Sequence, residues 1–114
     1  MNLLDTGVVI EMLREKRYRP GIISVVTVIE VLRGVDAKKR PKVKQLLEES
    51  LSILNLDGAI IEAYCDLYGD LKKEGTLLPD ADLLIAATAI AHNLTLETTD
   101  DHFQRLKPHG LKLK

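Results

Sequence analysis

The sequence has little of what several function classes require. Its 114 residues hold one cysteine, Cys65, and no tryptophan. A single thiol builds neither an internal disulfide framework nor a cysteine-rich metal site, so a reducing cytoplasm is the expected compartment. Aromatics are confined to Tyr18, Tyr64, Tyr68 and Phe103, too few and too scattered for a base-stacking platform. Neither charge is in excess: 16 basic against 17 acidic residues leave a net charge of −1. Without a global positive field, any RNA contact must be local. The basic clusters at residues 14–19 and 38–44 could supply it, although such clusters are as readily solvated faces. The longest apolar run, residues 83–91, is far below the ~20 residues of a membrane helix. No leader-like segment precedes the first apolar run, so neither export nor membrane insertion is expected.

What is present is globular composition, 46% apolar and 29% charged, at the size of one domain spanning residues 1–114. Residues 1–4 read as a strand, and Asp5-Thr6 opens a helix with apolar positions at Val8, Val9, Met12 and Leu13. After Pro20-Gly21, the β-branched residues 22–26 read as a second strand, and Thr27 begins a helix that stops at Gly34. Residues 42–51 form a helix and 51–56 a third strand, closed by Asp57-Gly58. In the long helix at 59–71, ended by Gly75, Ile60, Ile61, Tyr64, Cys65, Tyr68 and Leu71 are expected to line one buried stripe, which makes Cys65 core. Residues 82–92 are apolar almost all round, as in a helix buried within a domain. A fourth strand at 94–98, a short helix at 100–106 and an edge strand at 111–113 complete the chain. This alternation predicts a three-layer α/β/α sandwich with a mostly parallel sheet of four to five strands. Ligand sites in such sheets lie beyond the carboxyl ends of the strands.

The acids gather at that end. Asp5, Glu30 and Asp100 each follow a strand-like run by a few residues, and Asp82 begins the buried helix. Close carboxylates raise each other's pKa unless a hard cation neutralises them. Oxygen-only ligands favour Mg²⁺ or Mn²⁺ over zinc, and such an ion activates water for attack on a phosphodiester. Each acid also has a bland reading. Asp5 could cap its helix, Thr27 with Glu30 has capping-box spacing, and Asp82 and Asp100 lie where acids favour a helix N-terminus. Capping explains the positions but not why every cap should be an acid. Asp57 reads as the cap of the long helix, Asp80 as the cap of the buried one, and Asp101 as exposed. His92, His102 and His109 show no ligand spacing, His102 standing nearest to Asp100.

Leu3-Leu4-Asp5-Thr6, Thr27-Val28-Ile29-Glu30, residues 80–89 around Asp82 and Thr98-Thr99-Asp100-Asp101-His102-Phe103 resemble, in order and spacing, the motifs of the PIN-domain family. The likeness is closest to the toxin ribonucleases of VapBC-type toxin–antitoxin pairs and covers nearly the whole chain. The resemblance implies metal-dependent RNA cleavage, frequent homodimers and neutralisation by a small antitoxin. It gives Asp5, Asp82 and Asp100 the metal, and Glu30 the completion of the acidic pocket. Thr6 and Thr98 occupy hydroxyl positions that orient carboxylates, while Asp80 and Asp101 are spare acids beside the motif positions, either of which could support a second metal. Gly7, where the family usually has Asn or Ser, and the short stretch from Gly34 to Lys42 depart from the pattern.

Three other readings compete. A receiver domain would use Asp57 as phosphoacceptor with Thr98 or Thr99 and Lys107, but it wants paired acids after the first strand and a final helix. A PIN-like scaffold that no longer cuts is disfavoured by the presence of all four acids. An RNA-processing nuclease without an antitoxin is the alternative within the class. For a homodimer, Ile22, Ile23, Ile60, Ile61, Tyr64 and Tyr68 offer apolar surface beyond what one sheet face consumes.

Overall fold

A computed structural model of the chain describes all 114 residues. Its elements are β1 (Leu3–Leu4), α1 (Thr6–Glu15), β2 (Ile22–Ser24), α2 (Val25–Arg33), α3 (Arg40–Ser50), β3 (Ser52–Leu54), α4 (Gly58–Glu74), α5 (Asp80–Ala91) and β4 (Thr95–Glu97), then a 3-10 helix (Asp101–His109) and β5 (Lys112–Leu113). The five strands form one sheet in the order β3-β2-β1-β4-β5, and every pairing is parallel.

Side chains of successive strand residues point to opposite faces, and β1 shows the result. Leu3 packs with Leu67, Leu71, Leu83, Ile85, Leu96 and Phe103, the core beneath α4, α5 and the 3-10 helix. Leu4 packs with Val9, Met12, Ile23, Val31 and Leu47, the core beneath α1, α2 and α3. The expected three layers are therefore present. From β1 the chain winds outward to β2 and β3, whereas β4 and β5 lie on the other side. This reversal leaves a crevice beyond the carboxyl ends of β1 and β4.

Several local expectations need correction. Cys65 is exposed. The buried stripe of α4 runs through Ile60, Leu67 and Leu71, with Tyr64 half-buried, while Ile61 and Tyr68 are exposed. Two apolar stripes stand one residue apart on this helix, and periodicity alone could not choose between them. Ile23 and Ile60 are fully buried, so neither is available to an interface. α2 begins at Val25, where the Ser24 side chain accepts a hydrogen bond from Val26 N. Thr27 is thus inside the helix, and the capping box with Glu30 does not form. Asp80 is the first residue of α5 rather than its cap, a place taken by Pro79 without a side-chain bond. Asp57 does cap α4, accepting from Ile60 N at 2.9 Å, and Gly75 closes that helix at φ 71°, a backbone that glycine adopts without strain.

Candidate active site

Asp5 leaves β1 and caps α1, with only 8% of its surface exposed. Its Oδ1 accepts from Thr6 N at 2.8 Å and its Oδ2 from Thr98 Oγ1 at 2.7 Å. Thr98 directly follows β4, the strand paired to β1, so the crossover joins two motifs that lie 93 residues apart in sequence. The Thr98 hydroxyl also accepts from Asp100 N at 3.0 Å. Asp100 in turn caps the 3-10 helix, its Oδ1 receiving His102 N at 2.9 Å with His102 Nδ1 at 2.7 Å. Glu30 comes from α2. Thr6 Oγ1 donates to its Oε1 at 2.7 Å, and Arg33 lies 3.4 Å from its Oε2. Asp82 lies in the first turn of α5, and none of these donors reaches it.

The electrostatics separate capping from site chemistry. A carboxylate that only served a helix N-terminus would be stabilised in its charged form. Asp100 behaves this way: the His102 backbone N–H, then the His102 ring and Arg105, hold it below the usual carboxylate range despite partial burial. Asp82 does the opposite. Burial raises it first, then the charges of Asp5, Asp100 and Glu30, with only His102 opposing. Asp5 is likewise raised, chiefly by burial, with Asp100 and Glu30 adding repulsion against the hydrogen bonds of Thr98 and Thr6. The four acids therefore share one field, although they come from four separate elements.

As the side chains stand, no three acidic or histidine groups are gathered closely enough to hold an ion. Asp5, Glu30 and Asp100 are engaged instead by hydroxyl, amide, imidazole and guanidinium donors. The donor set nonetheless fits a hard divalent cation: it is all oxygen and negative, and two members are pushed toward protonation by burial and mutual repulsion, which a cation relieves.

Asp80 does not join the group; its Oδ1 accepts from Tyr64 OH at 2.6 Å, which helps push that phenol up to about 12. Asp101 is exposed, as expected. Asp57 pairs with His92 at 2.7 Å on the outside of the molecule. Sequence reasoning missed the direct contact of His102 with Asp100 and the buried hydroxyl of Thr27, 3.0 Å from Thr6 Oγ1. The only signal for the second was its spacing, three residues before Glu30 on one helix face.

The PIN domain family matches residues 3–107. A ribonuclease VapC1 of Methanocaldococcus jannaschii is 39% identical over 115 residues, spanning 97% of this chain and 85% of that protein. Toxin FitB of Neisseria gonorrhoeae is 31% identical over 122 residues, with 88% of each chain covered. Among solved structures, VapBC-1 from nontypeable Haemophilus influenzae superposes with a TM-score of 0.83 at 25% identity, covering 99% of this chain and 96% of that one. VapBC-5 from Mycobacterium tuberculosis, of the VapBC family of toxin-antitoxin systems, gives 0.72 at 26% identity over 99% and 94%. With the family matched across almost all of its length and a relative well above 30% identity, this chain belongs to the PIN-domain family.

Proposed function

We propose that the protein is a Mg²⁺- or Mn²⁺-dependent endoribonuclease and the toxin of a type II toxin–antitoxin pair. One observation carries the reading: four carboxylates, drawn from β1, α2, α5 and the end of β4, share one field at the sheet's switch point in a chain 39% identical to a ribonuclease VapC1. Asp5, Asp82 and Asp100 would hold the ion. A bound divalent cation supplies acidified water and screens the charge that builds on the phosphodiester under in-line attack. Glu30, held at Oε1 by Thr6 and faced at Oε2 by Arg33, would complete the acidic pocket and help position the attacking water. Thr98 keeps Asp5 turned toward the pocket and ties it to Asp100.

For the antitoxin, the groove between α1 and α2 offers an apolar seat. Ile10, Leu13, Val31 and Val35 line it, and Glu30 and Arg14 stand in its wall. A peptide seated there could deliver an arginine to the acids, pairing bidentately and excluding the phosphate. For the homodimer, the stripe of Ile61, Cys65 and Tyr68 is the exposed apolar face of α4.

The test is cleavage of RNA by the purified chain with Mg²⁺ or Mn²⁺, compared with Asp82→Asn, and growth of cells expressing it with and without its genomic neighbour. Metal-dependent cleavage lost in the variant, and toxicity relieved by the neighbour, are expected. Cleavage with harmless expression would point to a processing nuclease, and absence of cleavage by a metal-loaded, folded chain would overturn the reading.

A further inference from the structure

Thr27 lies fully buried within α2, one turn before Glu30. It is not the cap of that helix, a task that Ser24 performs, and it is not one of the acids. Its Oγ1 lies 3.0 Å from Thr6 Oγ1, and Thr6 Oγ1 donates to Glu30 Oε1 at 2.7 Å. A threonine hydroxyl has one proton to give, and an ionised carboxylate has none. Because Thr6 directs its proton to Glu30, it can only accept from Thr27. The buried hydroxyl therefore has a defined direction, Thr27 to Thr6 to Glu30.

We propose that Thr27 is a positioning residue for hydrolysis, acting through Thr6 to fix where Glu30 points. Without it the Thr6 hydroxyl is free to rotate about its C–O bond, and the Asp5 pocket beside it offers other acceptors. With it, the lone pair facing α2 is engaged and the proton of Thr6 has one acceptor left. Hydrogen bonds in series polarise each other, so the donor presented to Glu30 is also strengthened. Thr6 opens α1 while Thr27 and Glu30 share α2. The relay thus spans two packed helices, the rigid support that a site held to within ~0.5 Å requires.

This inference rests on the reading of the four acids as the site of RNA hydrolysis, and two variants of the full chain test it. Thr27→Val keeps the branched shape and removes the hydroxyl; Thr27→Ser keeps the hydroxyl and removes a methyl. A role in packing alone would make Ser the more damaging change. The relay predicts the reverse. With an RNA oligonucleotide, Thr27→Val should lower kcat about tenfold with KM within about twofold, less than the ~100-fold that a full ~1 Å misplacement can cost. Thr27→Ser should stay within about twofold of wild type in both. In the metal-free protein, ¹³C relaxation should show the Glu30 side chain losing order in Thr27→Val and keeping it in Thr27→Ser. Wild-type kcat and unchanged Glu30 order in Thr27→Val would overturn the relay, as would a Thr27→Ser variant as impaired as Thr27→Val. If the wild type itself failed to cut RNA, the functional reading would fall, and the order of Glu30 would still decide the role of Thr27.

Discussion

Two regions of this molecule concentrate carboxylates, and they differ in what each carboxylate faces. Along the outer side of α4, Asp57 meets His92 at 2.7 Å, while Asp70 and Glu74 flank His109 at 3.6 and 3.3 Å. There a capping N–H from Ile60, and then the His92 ring, hold Asp57 below the usual range. At the carboxyl end of the sheet, Asp5 and Asp82 face other acids and the interior, and both are raised. A count of acids would rank the regions alike. Their surroundings do not: one is electrostatically satisfied by the protein, and the other is left with repulsion that an external cation can relieve.

The sharpest way to break this contrast is to neutralise acids in each region. Asp5→Asn and Asp82→Asn should each cut RNA cleavage about a hundredfold or more, in line with the loss of a catalytic ion. Asp70→Asn and Glu74→Gln should leave it nearly unchanged. Single-turnover rates check this, and equal losses in both regions would erase the distinction. Metal supplies the next largest effect. A ligand that binds only the folded state at one hundred times its Kd adds about 2.7 kcal/mol, so melting should rise with Mn²⁺, fall with chelator and become indifferent to both in Asp82→Asn.

A smaller effect concerns the cap that displaced the expected capping box. Ser24→Ala should cost about 1 kcal/mol, measured by denaturant unfolding, without the loss of Glu30 order expected of Thr27→Val.

The pH dependence should have opposite signs for the raised acids, Asp5 and Asp82, and the lowered ones, Asp57 and Asp100. For Asp5 and Asp82 the folded state holds its proton more firmly than the unfolded chain does. The metal-free protein therefore gains stability from them as pH falls from neutrality through their raised values toward the ordinary 3.8. For Asp57 and Asp100, held below 3.8, the contribution is present above that value and is lost as pH falls through their lowered ones. Melting of chelated protein against pH should show a gain and then a loss, and Asp82→Asn should shrink only the gain. The smallest effect is expected at Cys65, which should react with a thiol reagent in the native monomer with no change in melting.

Much of this was legible in the sequence because it depends on order along the chain. Strands followed by acids gave the parallel sheet, and Asp5, Glu30, Asp82 and Asp100 stood out by position. What was not legible depends on rotation and on partners distant in sequence. Ile60 and Ile61 are indistinguishable by composition, yet the fold buries the first fully and leaves the second exposed. Thr27 looked like a cap because its spacing to Glu30 suits one, until Ser24 took that place. The tie between Thr98 and Asp5 needs β4 beside β1, a pairing that no local pattern announces.

α5 carries six buried residues, among them Leu83, Ile85, Ala86 and Thr88, and it packs against both α4 and the sheet side of the core. Asp82 lies in the first turn of this same helix. A cation bound at the acids would therefore fasten the start of a helix that supplies much of one of the two cores. In a cell, scarcity of that ion would both disarm the enzyme and loosen its central helix, making the idle form the better substrate for proteases.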